Sequence, residues 1–243
     1  MAIDNRLREW IAATPVGRLA GIELSPVTHT ERLVSMTGGF AAILLLIMTE
    51  QHLLGETGAG MLIASMGASA VLLFAVPHGA LSQPWAVVIG HVASAFVGVT
   101  VAKLVPNPML AAAFAVGIAI GLMHYLRAIH PPGGATALTA VIGGAQVHDL
   151  GYTFVLTPVL INALLMVVAA VVINMAFAWR RYPAALAPAS AKRKPSPDQE
   201  LSHADFIAAL QRIGTFVDIS EDEFTLLRKL MREQEAAHGS AKR

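Results

Sequence analysis

Between residues 34 and 177 the chain carries only five charged side chains, Glu50, Glu56, Lys103, Arg127 and Asp149, and this scarcity limits what it can fold into. The other 28 of its 33 charges crowd into the remaining 99 residues. A soluble domain spreads charge over about 25% of its residues; here the whole chain reaches 14%, with 55% hydrophobic residues and a mean hydropathy of +0.61. We therefore expect an all-α, multi-pass bundle of transmembrane helices, because a backbone in lipid must satisfy its own hydrogen bonds. Cysteine is absent, which excludes a disulfide framework, a thiolate zinc site and thiol nucleophiles. The net charge of +1 gives no reason to expect a nucleic-acid partner.

A crossing needs about 20 apolar residues, so the uncharged window 57–102 must hold two segments and a turn. Long helices are expected near 34–54, 84–104, 109–127 and 153–178. Pro84 opens one of them, and Pro106-Asn107-Pro108 separates it from the next, as proline at a first helical position does. Two shorter elements rich in glycine, near 61–76 and 131–147, lie between the long helices and either cross or re-enter. The membrane domain thus covers 34–178.

The flanks differ. Residues 1–33 place Ile3, Leu7, Trp10 and Ile11 on one helical face and read as a cytoplasmic amphipathic segment. Residues 179–201 form a proline-rich linker with a Lys192-Arg193-Lys194 cluster that can touch anionic lipid. Ser202 with Asp205, and Ser220 with Glu223, mark capping boxes, so 202–238 is expected to be a small cytoplasmic helical hairpin. Eleven Lys or Arg follow residue 178, and Arg6, Arg8, Arg18 and Arg32 precede the membrane domain. The positive-inside rule then puts both termini in the cytoplasm and the protein in the cytoplasmic (inner) membrane.

Gly67-Ala68-Ser69-Ala70 and Gly134-Ala135-Thr136-Ala137 each lie between two long helices and each precede an apolar run. This gives two units, 34–104 and 109–178, of three segments each; an odd number inverts the second copy, a plan that places substrate at the midplane. A helix starting inside the membrane offers unpaired N–H groups and a positive dipole end, which favour an anion. Small residues also serve close helix packing, and the glycines alone do not separate these readings.

The run Arg127-Ala128-Ile129-His130-Pro131-Pro132-Gly133-Gly134-Ala135-Thr136-Ala137-Leu138 resembles the signature of the HPP family of integral membrane proteins. The stretch Met66-Gly67-Ala68-Ser69-Ala70-Val71-Leu72-Leu73-Phe74-Ala75-Val76-Pro77 is similar to that family too, as are Gln83-Pro84-Trp85 and Gly90-His91 with Ser94. The likeness spans about 30–178, with a further echo at Val217-Asp218-Ile219-Ser220. It implies a multi-pass membrane protein, usually described with four spanning helices, acting as a transporter. Plastid members are associated with nitrite, so the implied substrate is a small monovalent anion. The loop Pro77-His78-Gly79-Ala80-Leu81-Ser82-Gln83 has less proline than the family form, and its geometry is not carried over.

The expected substrate site therefore comprises Gly67, Ala68 and Ser69 at one helix start and Gly133, Gly134, Ala135 and Thr136 at the other. Arg127 at the mouth would attract an anion, although an interfacial arginine can equally snorkel to headgroups. His130 is read as a donor, a protonatable group or a cap, and His91 as an interior histidine that needs a partner. His52 and Glu56 have metal-ligand spacing, but Gly55 and Gly58 favour a loop there, so neither metal nor cofactor is expected. The reading is a carrier or channel and not an enzyme, with a small inorganic anion and membrane lipid as partners and self-association left open. A membrane-anchored sensor working through residues 202–238 is the alternative.

Overall fold

The computed structural model describes residues 14, 27–54, 59–186 and 228–229. Most of the N-terminal segment, the later linker and the 202–238 hairpin lie outside the described residues. Helix α1 (His29–Leu54) starts five residues before the expected position 34, because Thr28 Oγ1 accepts the Glu31 N–H at 3.1 Å and caps it. Helix α2 (Ala59–Ala75) follows, and α3 (Pro84–Leu104) matches expectation to the residue. Helix α4 (Pro108–Tyr125) is opened by Asn107, whose Oδ1 accepts the amides of Met109 and Leu110 at 3.0 and 3.1 Å.

Two expected elements are interrupted. The segment 131–147 divides into α5 (Pro132–Ile142) and α6 (Gly144–Leu150), with Gly144 at φ 77° making the corner. The expected continuous helix 153–178 is not continuous: residues Val155–Leu160 wind more widely, Thr157 leaves helical values (φ −128°, ψ 108°), and α7 proper runs Ile161–Met175. Pro158 is the cause, since it removes a ladder N–H and crowds the preceding turn. The proline was visible in an otherwise apolar run.

Among the described residues, four helices are long and apolar enough to cross a membrane: His29–His52, Pro84–Leu104, Pro108–Tyr125 and Val155–Met175. Their outward faces carry Met36, Phe40, Met48, Met109 and Val172, all exposed, as lipid requires. Inside, α1 packs on α2 and both meet α7, while α4 packs on α5 and both meet α3. The last long helix of each half therefore seats on the first two helices of the other half. Helices α2 and α5 touch at the centre.

Contacts between distant residues show which ends coincide. At one end Arg180 pairs with Glu31, Tyr182 OH donates to the Ser82 carbonyl at 2.8 Å, and Trp85 Nε1–H donates to the Leu126 carbonyl at 3.1 Å. At the other end Lys103 lies over the Tyr152 ring, 5.8 Å from its centroid. Helix α2, about 25 Å long at 1.5 Å per residue, thus runs from the end of α1 back to its start, and α5 with α6 runs the opposite way. Both short elements run along the bundle between its two ends, so a crossing is expected of each. Cysteines placed at Leu81 and Arg127, both exposed, should react with an impermeant maleimide from one side, and cysteine at exposed Asn107 from the other. Labelling of all three from a single side would contradict this topology.

Candidate functional site

Helix α3 is built to let its neighbours approach. A Cβ on Gly90 would lie 2.7 Å from the His130 Cβ, and one on Gly98 only 2.5 Å from the Ala137 carbonyl oxygen. From the other side, a Cβ on Gly133 would lie 2.7 Å from Ser94 Oγ and 2.9 Å from the Gly90 carbonyl. The ladder Gly90, Ser94, Gly98 is therefore the α3–α5 seam, as the packing reading of small residues requires. Its consequence is chemical: it presses residues 128–136 against the helix that carries His91.

At that seam four polar side chains, none more than 1% exposed, join in a chain. Thr136 Oγ1 meets His91 Nδ1 at 2.7 Å, His91 Nε2 meets Ser69 Oγ at 2.8 Å, and Ser69 Oγ meets His130 Nε2 at 2.8 Å. His130 Nδ1 then donates to the Leu81 carbonyl at 2.8 Å. A carbonyl can only accept, so this contact fixes which nitrogen of His130 always carries a proton. The two rings stand edge to face with centroids 4.9 Å apart. Ser94 Oγ, buried beside them, has no hydrogen-bond partner among the described residues. Buried polar groups are costly unless paired; the chain satisfies its four members and leaves the Ser94 hydroxyl as the unpaired group beside them.

The structure sorts the expected site residues. Ser69, His91, His130 and Thr136 come together, with Gly133 as a spacer against α3. The premise of two open helix starts does not hold. Gly67, Ala68 and Ser69 sit within α2, where their amides belong to the helical ladder; Ala68 is exposed and a Cβ on Gly67 would meet nothing within 4 Å. At α5 the Gly133 N–H donates to the His130 carbonyl at 2.8 Å and the Gly134 N–H to that of Pro131 at 3.0 Å, so these amides are already used. Ala135 is exposed, and a Cβ on Gly134 would make only an ordinary 4.0 Å contact with Val116. Arg127 occupies a positive-φ turn (52°) and is exposed at the end of the bundle, outside the hydrogen-bonded chain of Ser69, His91, His130 and Thr136.

Other buried polar groups emerge only in three dimensions. Asn162 Nδ2 donates to Glu50 Oε1, while Glu50 Oε2, also buried, has no partner among the described residues. Arg180 donates to Glu31, to Asn174 Oδ1 at 3.1 Å and to the Phe74 carbonyl, tying α1, α2 and α7 together. Burial pushes its guanidinium downward and Glu31 opposes that; burial likewise pushes the Tyr182 phenol up. A polar residue inside an apolar window calls for a partner, and Glu50, Asn162 and Asn174 each carried that signal.

Crossing apolar helices around a buried chain of imidazoles and hydroxyls define a multi-pass integral membrane protein. Residues 24–183 match the family described as HPP, transmembrane region. The chain belongs to the HPP transmembrane family, as its motifs implied. It is similar to two transmembrane proteins of Dictyostelium discoideum, 38% identical over 169 residues and 39% identical over 187 residues, covering 67% and 75% of this chain. The matched stretches cover 54% and 64% of those relatives' own lengths. No solved structure matches the chain.

Proposed function

We propose that the protein moves a small monovalent anion, nitrite-like in size, across the cytoplasmic membrane, and that Ser69, His91, His130 and Thr136 form its binding site. The observation that carries this reading is that Ser69 and Thr136, which hold equivalent places in the two Gly-Ala-Ser/Thr-Ala motifs, both bond to the same ring, His91. The halves run in opposite directions and exchange their last long helices. This arrangement supports an inverted-repeat reading, a plan whose site lies at the midplane.

The donor that the cluster leaves free for an anion is the buried Ser94 hydroxyl, unpartnered among the described residues, and the hydroxyls and rings around it make the pocket polar. Arg127, with Arg32 and Arg181, makes one end of the bundle basic, and that end faces the cytoplasm with both termini. At the opposite end Lys103 and His148 line a cavity of about 230 Å³. The arginine-rich end therefore attracts negative charge, while at the far end Asp149 offsets Lys103. The substrate is carried unchanged.

Purified full-length protein in vesicles should take up nitrite, nitrate, formate or chloride faster than protein-free vesicles do, and should discriminate against sulfate. A second negative charge would stay uncompensated in so small a cluster. Uptake of none of the five anions above the protein-free rate would overturn the proposal. Loss of all flux on deleting residues 198–243 from a properly inserted protein would move the working part to the tail.

A further inference from the structure

The cluster has five hydrogen-bond positions in line: Pro132 carbonyl to Thr136 at 3.4 Å, Thr136 to His91 at 2.7 Å, His91 to Ser69, Ser69 to His130 and His130 to the Leu81 carbonyl at 2.8 Å each. Both ends of the line are carbonyl oxygens, which only accept. With both histidines neutral, the two hydroxyls and two rings supply four protons for five positions. One position must stay empty, and it is the long one. Thr136 then donates to His91 Nδ1, His91 Nε2–H to Ser69, Ser69 to His130 Nε2, and His130 Nδ1–H to Leu81. A hydrogen bond from Ser69 to the Ser65 carbonyl at 3.2 Å is the one side branch.

One added proton fills the line. His130 then donates from both nitrogens, Ser69 turns to donate to His91 Nε2, His91 donates from Nδ1 to Thr136, and Thr136 donates to Pro132. Every bond between Leu81 and Thr136 keeps its length while those from His130 Nε2 to Thr136 reverse direction. We infer that this line is a binding site for one proton, which the protein carries together with its anion in a one-to-one, electroneutral symport. The coupling rests on the transport reading above; the proton site does not.

Nothing charged nearby competes for the proton. Among the described residues, α2, α5 and the segment from Val155 through α7 bring no acidic or basic side chain. Glu50 of α1 is bonded to Asn162 and Glu31 to Arg180, His124 of α4 is exposed, and Lys103 with His148 and Asp149 sits at the far end. His78 is bonded to the Arg181 carbonyl. The two histidines face only each other, and rings 4.9 Å apart do not both take a charge. A lone cation inside the bundle is expensive, so a monovalent anion arriving with the proton cancels it.

Two measurements on the full-length protein separate the proton site from the coupling. Nitrogen-15 NMR of histidine-labelled protein in nanodiscs, assigned with His91→Gln and His130→Gln, should show His91 protonated on Nε2 and His130 on Nδ1 at alkaline pH. On acidification one proton per molecule should bind, with His91 switching to Nδ1–H in the same step in which His130 becomes doubly protonated. Ser69→Ala should abolish the concerted switch and Ser69→Thr should retain it. Independent titration of the two rings, or no switch, overturns the proton site. In vesicles, an inward acid gradient of one pH unit should drive nitrite to an inside-to-outside ratio approaching about tenfold, faster than in protein-free vesicles and independent of membrane voltage. Nitrite flux that ignores the gradient overturns the symport and leaves the transport reading standing; a tautomer switch in a protein with no flux for any anion does the reverse.

Discussion

Replacement of Arg180 by alanine is expected to cost about 3–5 kcal/mol of stability, the range found when one partner of a buried ion pair is removed. The side chain is 1% exposed and donates to Glu31, Ser35, Asn174 and the Phe74 carbonyl, so it joins three helices at the basic end. Glu31 is partly exposed and can return to water. The Asn174 amide oxygen and the Phe74 carbonyl cannot, and they dominate the loss. Lysine at this position should recover only part, because an ammonium satisfies one direction where the guanidinium fork satisfies several. Thermal unfolding in detergent followed by Trp179 fluorescence, with its indole bonded to Glu31 at 3.0 Å, should show a midpoint lowered on the order of 10 °C for alanine. An unchanged midpoint would mean that the Arg180 contacts do not hold α1, α2 and α7 together.

The next largest effect is expected at Gly98. A Cβ there would fall 2.5 Å from a backbone oxygen and 2.7 Å from the Ala140 Cβ. Neither neighbour is a flexible side-chain end, so Gly98→Val must push α3 and α5 apart. Overpacking of this kind costs about 1–3 kcal/mol or more, and the displacement also pulls Thr136 from His91. Gly67→Val faces open space and is expected to leave both stability and flux near those of the parent. The two valine variants, compared by thermal unfolding and vesicle flux, therefore separate a glycine required by packing from one that is not. Equal behaviour would refute the seam.

That contrast also marks what the sequence could and could not reveal. Local chemistry was legible: Pro84 and Asn107 with Pro108 punctuate helices through their own backbone requirements, and the repeated motifs pointed to Ser69 and Thr136 as a pair. The expense of burying an imidazole pointed to His91. The start of α2, in contrast, depends on what it packs against, so Gly67 was expected at an open helix end and lies within the helix instead. Arg127 follows a left-handed turn that no spacing rule announces, and the turn carries it outward. Pairings such as Glu50 with Asn162, 112 residues apart, and Glu31 with Arg180, 149 apart, belong to the tertiary arrangement alone. Their polar members stood out in apolar windows; their partners did not.

In the proposed function the anion binds at the buried chain of imidazoles and hydroxyls. The most direct measurement is the initial rate of nitrite uptake by vesicles containing Thr136→Val, which keeps the shape of the side chain and removes its hydroxyl from His91. Leaving the buried His91 Nδ1 without its partner costs about 1.5 kcal/mol, or roughly tenfold in rate where transport needs that ring held in place. Arg127→Gln, exposed at the basic end, should lose less and should lose it chiefly at low salt, where long-range attraction matters. A Thr136→Val protein that is folded and inserted yet transports nitrite at the parental rate would contradict the site; a roughly tenfold slower rate, with Arg127→Gln intermediate, is the result predicted.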